Sequence, residues 1–162
     1  MKNLFLLLVS FIIVSCNNND EPEPITAPFV PIIINSTLVG KYRLNGSEGV
    51  IQQNIIINNN SDWVNLKNQI DSQFIAIGLG NYHTENNFEE TTIDFTIFTV
   101  IAIFDQVYGN GGHTIDITNI TEYETNVIVT VENLETGNTS SSYSQPYHIV
   151  KIPKATKPIV FQ

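Results

Sequence analysis

Five consecutive apolar residues, Val100-Ile101-Ala102-Ile103-Phe104, leave a strand no face to turn toward water. Side chains alternate between the two faces of a sheet, so this run belongs in a central strand covered on both sides. Other segments carry the half-buried pattern. In 50–58, Ile51, Ile55 and Ile57 alternate with Gln52, Asn54 and Asn58, as in a strand with one wet face. Leu38 to Leu44 reads as a first strand, following the short apolar run Ile32-Ile33-Ile34 and ending at an Asn45-Gly46 turn. After Gly109-Asn110-Gly111-Gly112, Ile115 and Ile117 alternate with Asp116 and Thr118. A second arm places Val127, Val129 and Val131 opposite Thr130 and Glu132, with 123–126 as the connecting turn. Phe74 to Leu79 reads as a short strand. Residues 147–152 and 158–161 read as terminal strands, and Pro153 and Pro158 point to an edge position. Only one segment has a helical period: Trp63, Leu66, Ile70 and Phe74 form one face of a helix over 62–71, with Ser61 as N-cap and Asp62 in the first turn. The pattern predicts an α+β fold, a mostly antiparallel β-sheet domain with one main amphipathic helix.

The N-terminus has a different character. Lys2 precedes the apolar run Leu4 to Val14, and Ser15 stands before Cys16, the only cysteine in the chain. The run is shorter than the roughly 20 residues that span a bilayer, so it reads as a processing segment. Ile13-Val14-Ser15-Cys16 resembles a bacterial lipobox, which implies cleavage before Cys16 and acylation of its sulfur. Two or more acyl chains hold a protein on a membrane stably where one does so only marginally. The residues after Cys16, including Asp20, Glu21, Glu23, Pro22 and Pro24, have little to bury and read as a disordered tether. Extended from Asn17 to Pro31, it would reach about 45 Å at ~3.1 Å per residue. The acidic group behind the cysteine is similar to the export signal of Bacteroidetes-type surface lipoproteins. The expected organisation is a signal peptide at 1–15, a lipidated Cys16 and acidic, Pro-rich tether over 16–35, and a domain over 36–162. The expected location is the bacterial outer membrane, lipid-anchored and surface-exposed.

Composition narrows the partners. A net charge of −9 with seven Lys and Arg in 162 residues argues against nucleic acid, whose phosphates require clustered cations. With Cys16 acylated, no disulfide forms within the mature chain. His83, His113 and His148 are the three imidazoles. None sits in a zinc or catalytic spacing, and the sequence contains no nucleophile elbow, phosphate-binding loop or calcium loop. They read as surface or hairpin-end histidines. The sequence therefore predicts no enzyme activity, no cofactor and no metal site.

The segment Gln145-Pro146-Tyr147-His148-Ile149-Val150-Lys151-Ile152-Pro153-Lys154 resembles the closing strand of the PrcB-type protease-complex subunit family. The central strand after Asp94-Phe95, the Gly111-Gly112 pair, the hairpin and Trp63 extend the resemblance over about 61–162. It implies an α+β domain and a non-catalytic partner that assembles with, or stabilises, a surface protease. Where the family has Pro-Thr-Gly-Gly-Tyr, this chain has Gly109-Asn110-Gly111-Gly112-His113.

The expected function is thus that of an envelope-anchored, non-enzymatic protein-binding module, an accessory or stabilising subunit of a surface protease or a partner of another envelope protein. Its membrane contact runs through the lipid on Cys16. The expected partner surface comprises Tyr108, Gly111, Gly112, His113, Gln145, Pro146 and Tyr147. The double glycine also has a purely conformational explanation, either φ > 0 or close backbone approach at a hairpin mouth. Tyr82, Tyr108, Tyr123, Tyr143 and Tyr147 read as exposed rings suited to protein contacts or to stacking on sugars. A glycan- or peptide-binding lipoprotein is the second reading. Protease inhibition is the third, because Gly109-Asn110-Gly111-Gly112 is similar to a loop of chagasin-like inhibitors.

Overall fold

Strand β4 (Phe98–Phe104) is buried at six of its seven positions, and the whole architecture follows from covering it twice. The computed structural model describes residues 28–162; the signal segment, Cys16 and the tether to residue 27 lie outside the described residues. In chain order the other elements are β1 (Ile32–Ile33), β2 (Thr37–Leu44), β3 (Gln53–Ile57), α1 (Asn60–Ile70), α2 (Ser72–Ala76) and α3 (Tyr82–Asn87). After β4 come β5 (Asp116–Glu122), β6 (Val127–Glu132), β7 (Gln145–Pro153) and β8 (Ile159–Phe161). One four-stranded sheet has the order β2-β7-β4-β3 and the other β1-β5-β6-β8. All pairings are antiparallel except that of β6 with β8. The fold is α+β and mostly antiparallel, as the sequence predicts.

Alternation sorts β4 and β7 into two cores. Val100, Ala102 and Phe104, with Tyr147 and Ile149 beside them, pack under Trp63, Leu66 and Ile70 of α1. On the opposite face, Ile101, Val150 and Ile152 pack against Ile120, Val127 and Val129 of the second sheet. Each fully buried side chain of this kind is worth about 1.5–3 kcal/mol, so the β4–β7 pair carries much of the stability. Gly40 is required where β2 passes the helical layer, because a Cβ there would lie 2.7 Å from the Phe88 ring.

Several expectations are corrected. Helix α1 starts at Asn60 and is capped by the Asn59 side chain, which accepts from the Asp62 amide at 2.9 Å, so Ser61 is not the cap. Phe74 to Leu79 is not a strand. Helix α2 continues the turn of α1 past Asp71, held by Ser72 Oγ on the Glu48 carbonyl and Gln73 Nε2 on the Ser47 carbonyl. Ile77 and Leu79 are left exposed. Strand β7 is central rather than an edge: Pro153 is its last residue, where a missing N–H costs nothing. Strand β1 pairs with β5 at Ile32–Glu122 and Ile33–Thr121, so sheet pairing begins inside the segment assigned to the tether.

The short helix α3 depends on a buried carboxylate. Asp71, fully buried at the end of α1, accepts from the amides of His83 (2.7 Å) and Thr84 (3.2 Å) and from the Thr84 hydroxyl (2.5 Å). The two amides are groups that the first turn of a helix leaves unpaired. Asp71→Ala would orphan two amides inside the protein and leave the Thr84 hydroxyl only the Asn81 carbonyl at 3.3 Å, at an expected cost of about 3 kcal/mol. Asp71→Asn, which keeps an acceptor, should cost clearly less; urea denaturation of the two variants measures the difference.

Candidate functional site

Strand β2 is an edge of its sheet, and between it and the chain entering β5 lies an open cleft. Lys41, Tyr42 and Arg43 line it from β2, Pro146 and Tyr147 from β7, and His113, Thr114 and Ile115 from the approach to β5; its volume is about 230 Å³. Direct pairing fixes the faces. Lys41 lies opposite His148 and Arg43 opposite Pro146, on the side that faces the second sheet. Tyr42 lies opposite Tyr147, on the helical side, where its ring sits 6.0 Å from that of His83.

Behind the cleft the charged groups are paired. Lys41 forms an ion pair with Asp116, whose side chain is almost fully buried between the sheets. Burial would raise the Asp116 carboxyl, but hydrogen bonds from Lys41 and Thr114 and the Lys41 charge hold it below the usual carboxylate range. His148 accepts the Ile117 amide at Nδ1, 3.0 Å away, which leaves its proton on Nε2. Burial first, and the Lys41 charge second, push this imidazole down to about 4, against the pull of Asp116. It is therefore neutral at pH 7. Asp116 Oδ2 is buried without a hydrogen-bond partner among the described residues.

Arg43 differs from all of these. It is exposed, forms no ion pair or side-chain hydrogen bond among the described residues, and carries its guanidinium 5.8 Å from the Tyr42 ring centre. A guanidinium presents donors in a fixed fork matched to carboxylates. The cleft thus combines a concave wall containing Ile115 and Pro146 with one uncommitted cation at its rim.

The seven residues expected at a partner surface divide. His113, Pro146 and Tyr147 line the cleft. Tyr108 is adjacent, its ring stacked on that of His113 at 3.6 Å and 5°, with its hydroxyl donating to Asp105 Oδ2 at 2.8 Å. Gly111 and Gly112 serve the loop. The Gly111 carbonyl accepts from the Asn138 amide at 2.8 Å, while Gly112 has φ +80° and would place a Cβ 2.6 Å from Asn138 Nδ2. The conformational explanation of the glycine pair holds at Gly112. Gln145 is buried and ties the Val50 and Asp105 carbonyls together through Nε2, so it is unavailable to a partner.

Two other expectations fail. Tyr147 is fully buried, its hydroxyl 2.9 Å from His83 Nε2, and burial raises its pKa. His83 is itself buried, not a surface histidine; desolvation lowers its pKa against the opposing Asp71 and Glu48 charges. Sequence reasoning missed Lys41, Tyr42 and Arg43. The available signal was two same-face cations, from the chain's seven, within one predicted strand. Among the described residues no His, Cys, Asp or Glu cluster is arranged to hold a metal ion, and no helix is long and apolar enough to cross a membrane.

Comparison of the chain with protein-family models, with curated proteins and with solved structures finds no match in any of the three.

The buried imidazole sets a pH dependence. The unfolded chain takes up a proton near pH 6.5 that folded His148 refuses until about 4. Its contribution is fully present above pH 6.5 and is lost as pH falls from there to 4. At about 1.4 kcal/mol per pH unit, discounted for the wet part of the ring, the loss is on the order of 2 kcal/mol. Urea midpoints of the wild type and His148→Gln at pH 7 and 4.5 measure it, and the variant should show the smaller decline.

Proposed function

We propose that this chain is a lipid-anchored, non-enzymatic binding module of the bacterial outer membrane that holds a protein partner in the β2 cleft. The role suggested by the PrcB-type resemblance is that of an accessory or stabilising subunit of a surface protease. The observation that carries the reading is Arg43, an exposed and unpaired guanidinium at the rim of a cleft behind which Lys41 and Asp116 are already paired with each other. Arginine is enriched among the residues that dominate protein interfaces. Size favours a protein over a small molecule. At about 230 Å³ the cleft falls below the ~300–1,000 Å³ of typical small-molecule sites, and suits a side chain or short segment of a larger partner. The commitments of the surrounding side chains also favour contact over chemistry. His148 has its Nδ1 engaged, Asp116 is held by Lys41, and Tyr108 is committed to Asp105.

A photo-crosslinking residue in place of Tyr42, in intact cells of the source bacterium, tests the proposal by mass spectrometry of the adducts. The expected result is one dominant envelope protein. Arg43→Glu should reduce its capture about tenfold or more, since a hydrogen bond to a charged group is worth ~1.5–3 kcal/mol. Adducts no different from those of the same label at Thr125, in the exposed β5–β6 turn, would reject the cleft as the binding site.

A further inference from the structure

The two sheets have four edge strands, and three of them are protected. Strand β1 is two residues long and follows Pro31; β8 is three residues long and follows Pro158. Strand β2 carries Lys41 and Arg43, has a register shift between Leu38 and Gly40, and is bridged at Gly40 by Phe88, with the Glu89 amide on the Val39 carbonyl at 2.8 Å. Short length, proline, charge, bulges and covering segments all keep an edge from pairing with another chain. Strand β3 has none of these. Gln53-Asn54-Ile55-Ile56-Ile57 contains no charge and no proline and runs in unbroken register with β4. Among the described residues no backbone hydrogen bond reaches its outer edge. Beside it, between β3 and α1, runs a groove of about 230 Å³ lined by Ile55, Ile57, Leu66, Asn65 and Gln69, with Asp62 as its one acid.

We infer that β3 pairs antiparallel with β3 of a second copy of this chain, joining the two β2-β7-β4-β3 sheets into one. Charge selects this occupant. At a net charge of −9 two copies repel over most of their surface, but residues 49–61 contain no charged side chain, so the repulsion is least there. Geometry needs nothing further, because a strand on a two-fold axis supplies its own partner. With Ile55 on the axis, Asn54 meets Ile56 and Gln53 meets Ile57 of the other copy. The second copy's half-buried Ile55 then packs at the mouth of the groove beside α1, while its Ile57 stays in its own core. This interface is separate from the β2 cleft, at the opposite edge of the sheet, and does not depend on what the cleft binds.

The test is sedimentation of the full chain in detergent, with micelles in large excess over protein so that sharing a micelle does not mimic pairing. The wild type should form a dimer that dissociates on dilution. Asn54 is exposed and Ile56 37% exposed, so paired substitutions there leave the cores intact, and circular dichroism verifies the fold. Asn54→Lys with Ile56→Lys sets like charges opposite each other twice and should weaken the dimer about tenfold or more; Asn54→Glu with Ile56→Glu should do the same. Mixing the two variants should restore a dimer, since every opposed pair is then Lys against Glu. A wild type that stays monomeric at the highest attainable concentration overturns the inference, as does dimerisation of either variant alone with wild-type affinity. A monomer whose β3 crosslinks to a different envelope protein in cells also overturns it, assigning the edge to a foreign strand.

Discussion

The burial of both faces of the β4–β7 strand pair is the constraint on which the rest of the structure depends. Each strand alternates large apolar residues in both directions, so neither is stable until a layer lies on each side. Helix α1 closes one face with Trp63, Leu66 and Ile70. The β5–β6 hairpin closes the other with Ile120, Val127 and Val129. The result is a three-layer order of helices, sheet and sheet, and the β2 cleft is a consequence of it. Where the outer sheet stops short of the β2 edge, the gap between the layers opens to solvent.

Three buried carboxylates tie separate segments together, each with different partners. Asp71 ties the end of α1 to the start of α3. Asp105, just past β4, gathers Gln52, Tyr108 and Asn133 and so fixes the loops at one end of the sheets. Asp116 joins the two sheets through Lys41. A buried charge with one partner missing is costly, so each of these positions specifies a single arrangement of its neighbours. The neutral His148, accepting an amide of the opposing sheet, does the same without charge.

Much of this was legible in the sequence, and the failures have identifiable causes. The run Val100 to Phe104 gave a central strand because no other environment accepts five apolar residues in a row, and the β5–β6 hairpin showed itself by its period of two. Phe74 to Leu79 misled because its apolar residues at 75, 77 and 79 mimic a strand's alternation; the decisive restraint was Ser72 and Gln73 gripping the loop before β3, a contact between distant segments. Prolines at 153 and 158 suggested edges, whereas Pro153 merely ends a central strand. The cleft was only half visible. His113, Pro146 and Tyr147 were found as a loop and a strand start, but Lys41 and Arg43 join them only through the pairing of β2 with β7. Strand alternation could place those cations on one face without saying what stands opposite.

The two-residue strand β1 also bears on mechanics. Tension on the N-terminal side of β1 is resisted by the Phe29 ring under Lys157, by the pairs Ile32–Glu122 and Ile33–Thr121, and by the Ile34 amide on the Ile120 carbonyl at 2.8 Å. Peeling those residues, up to the start of β2 at Thr37, would pay out up to about 17 Å of slack at ~3.3–3.6 Å per residue. The eight residues of β2, knitted to β7 along most of their length, come next and hold far harder. Load applied there would thus be taken first by a short sacrificial clasp, at the expense of Ile34's packing on the second core, while the core beneath α1 and the cleft stay whole.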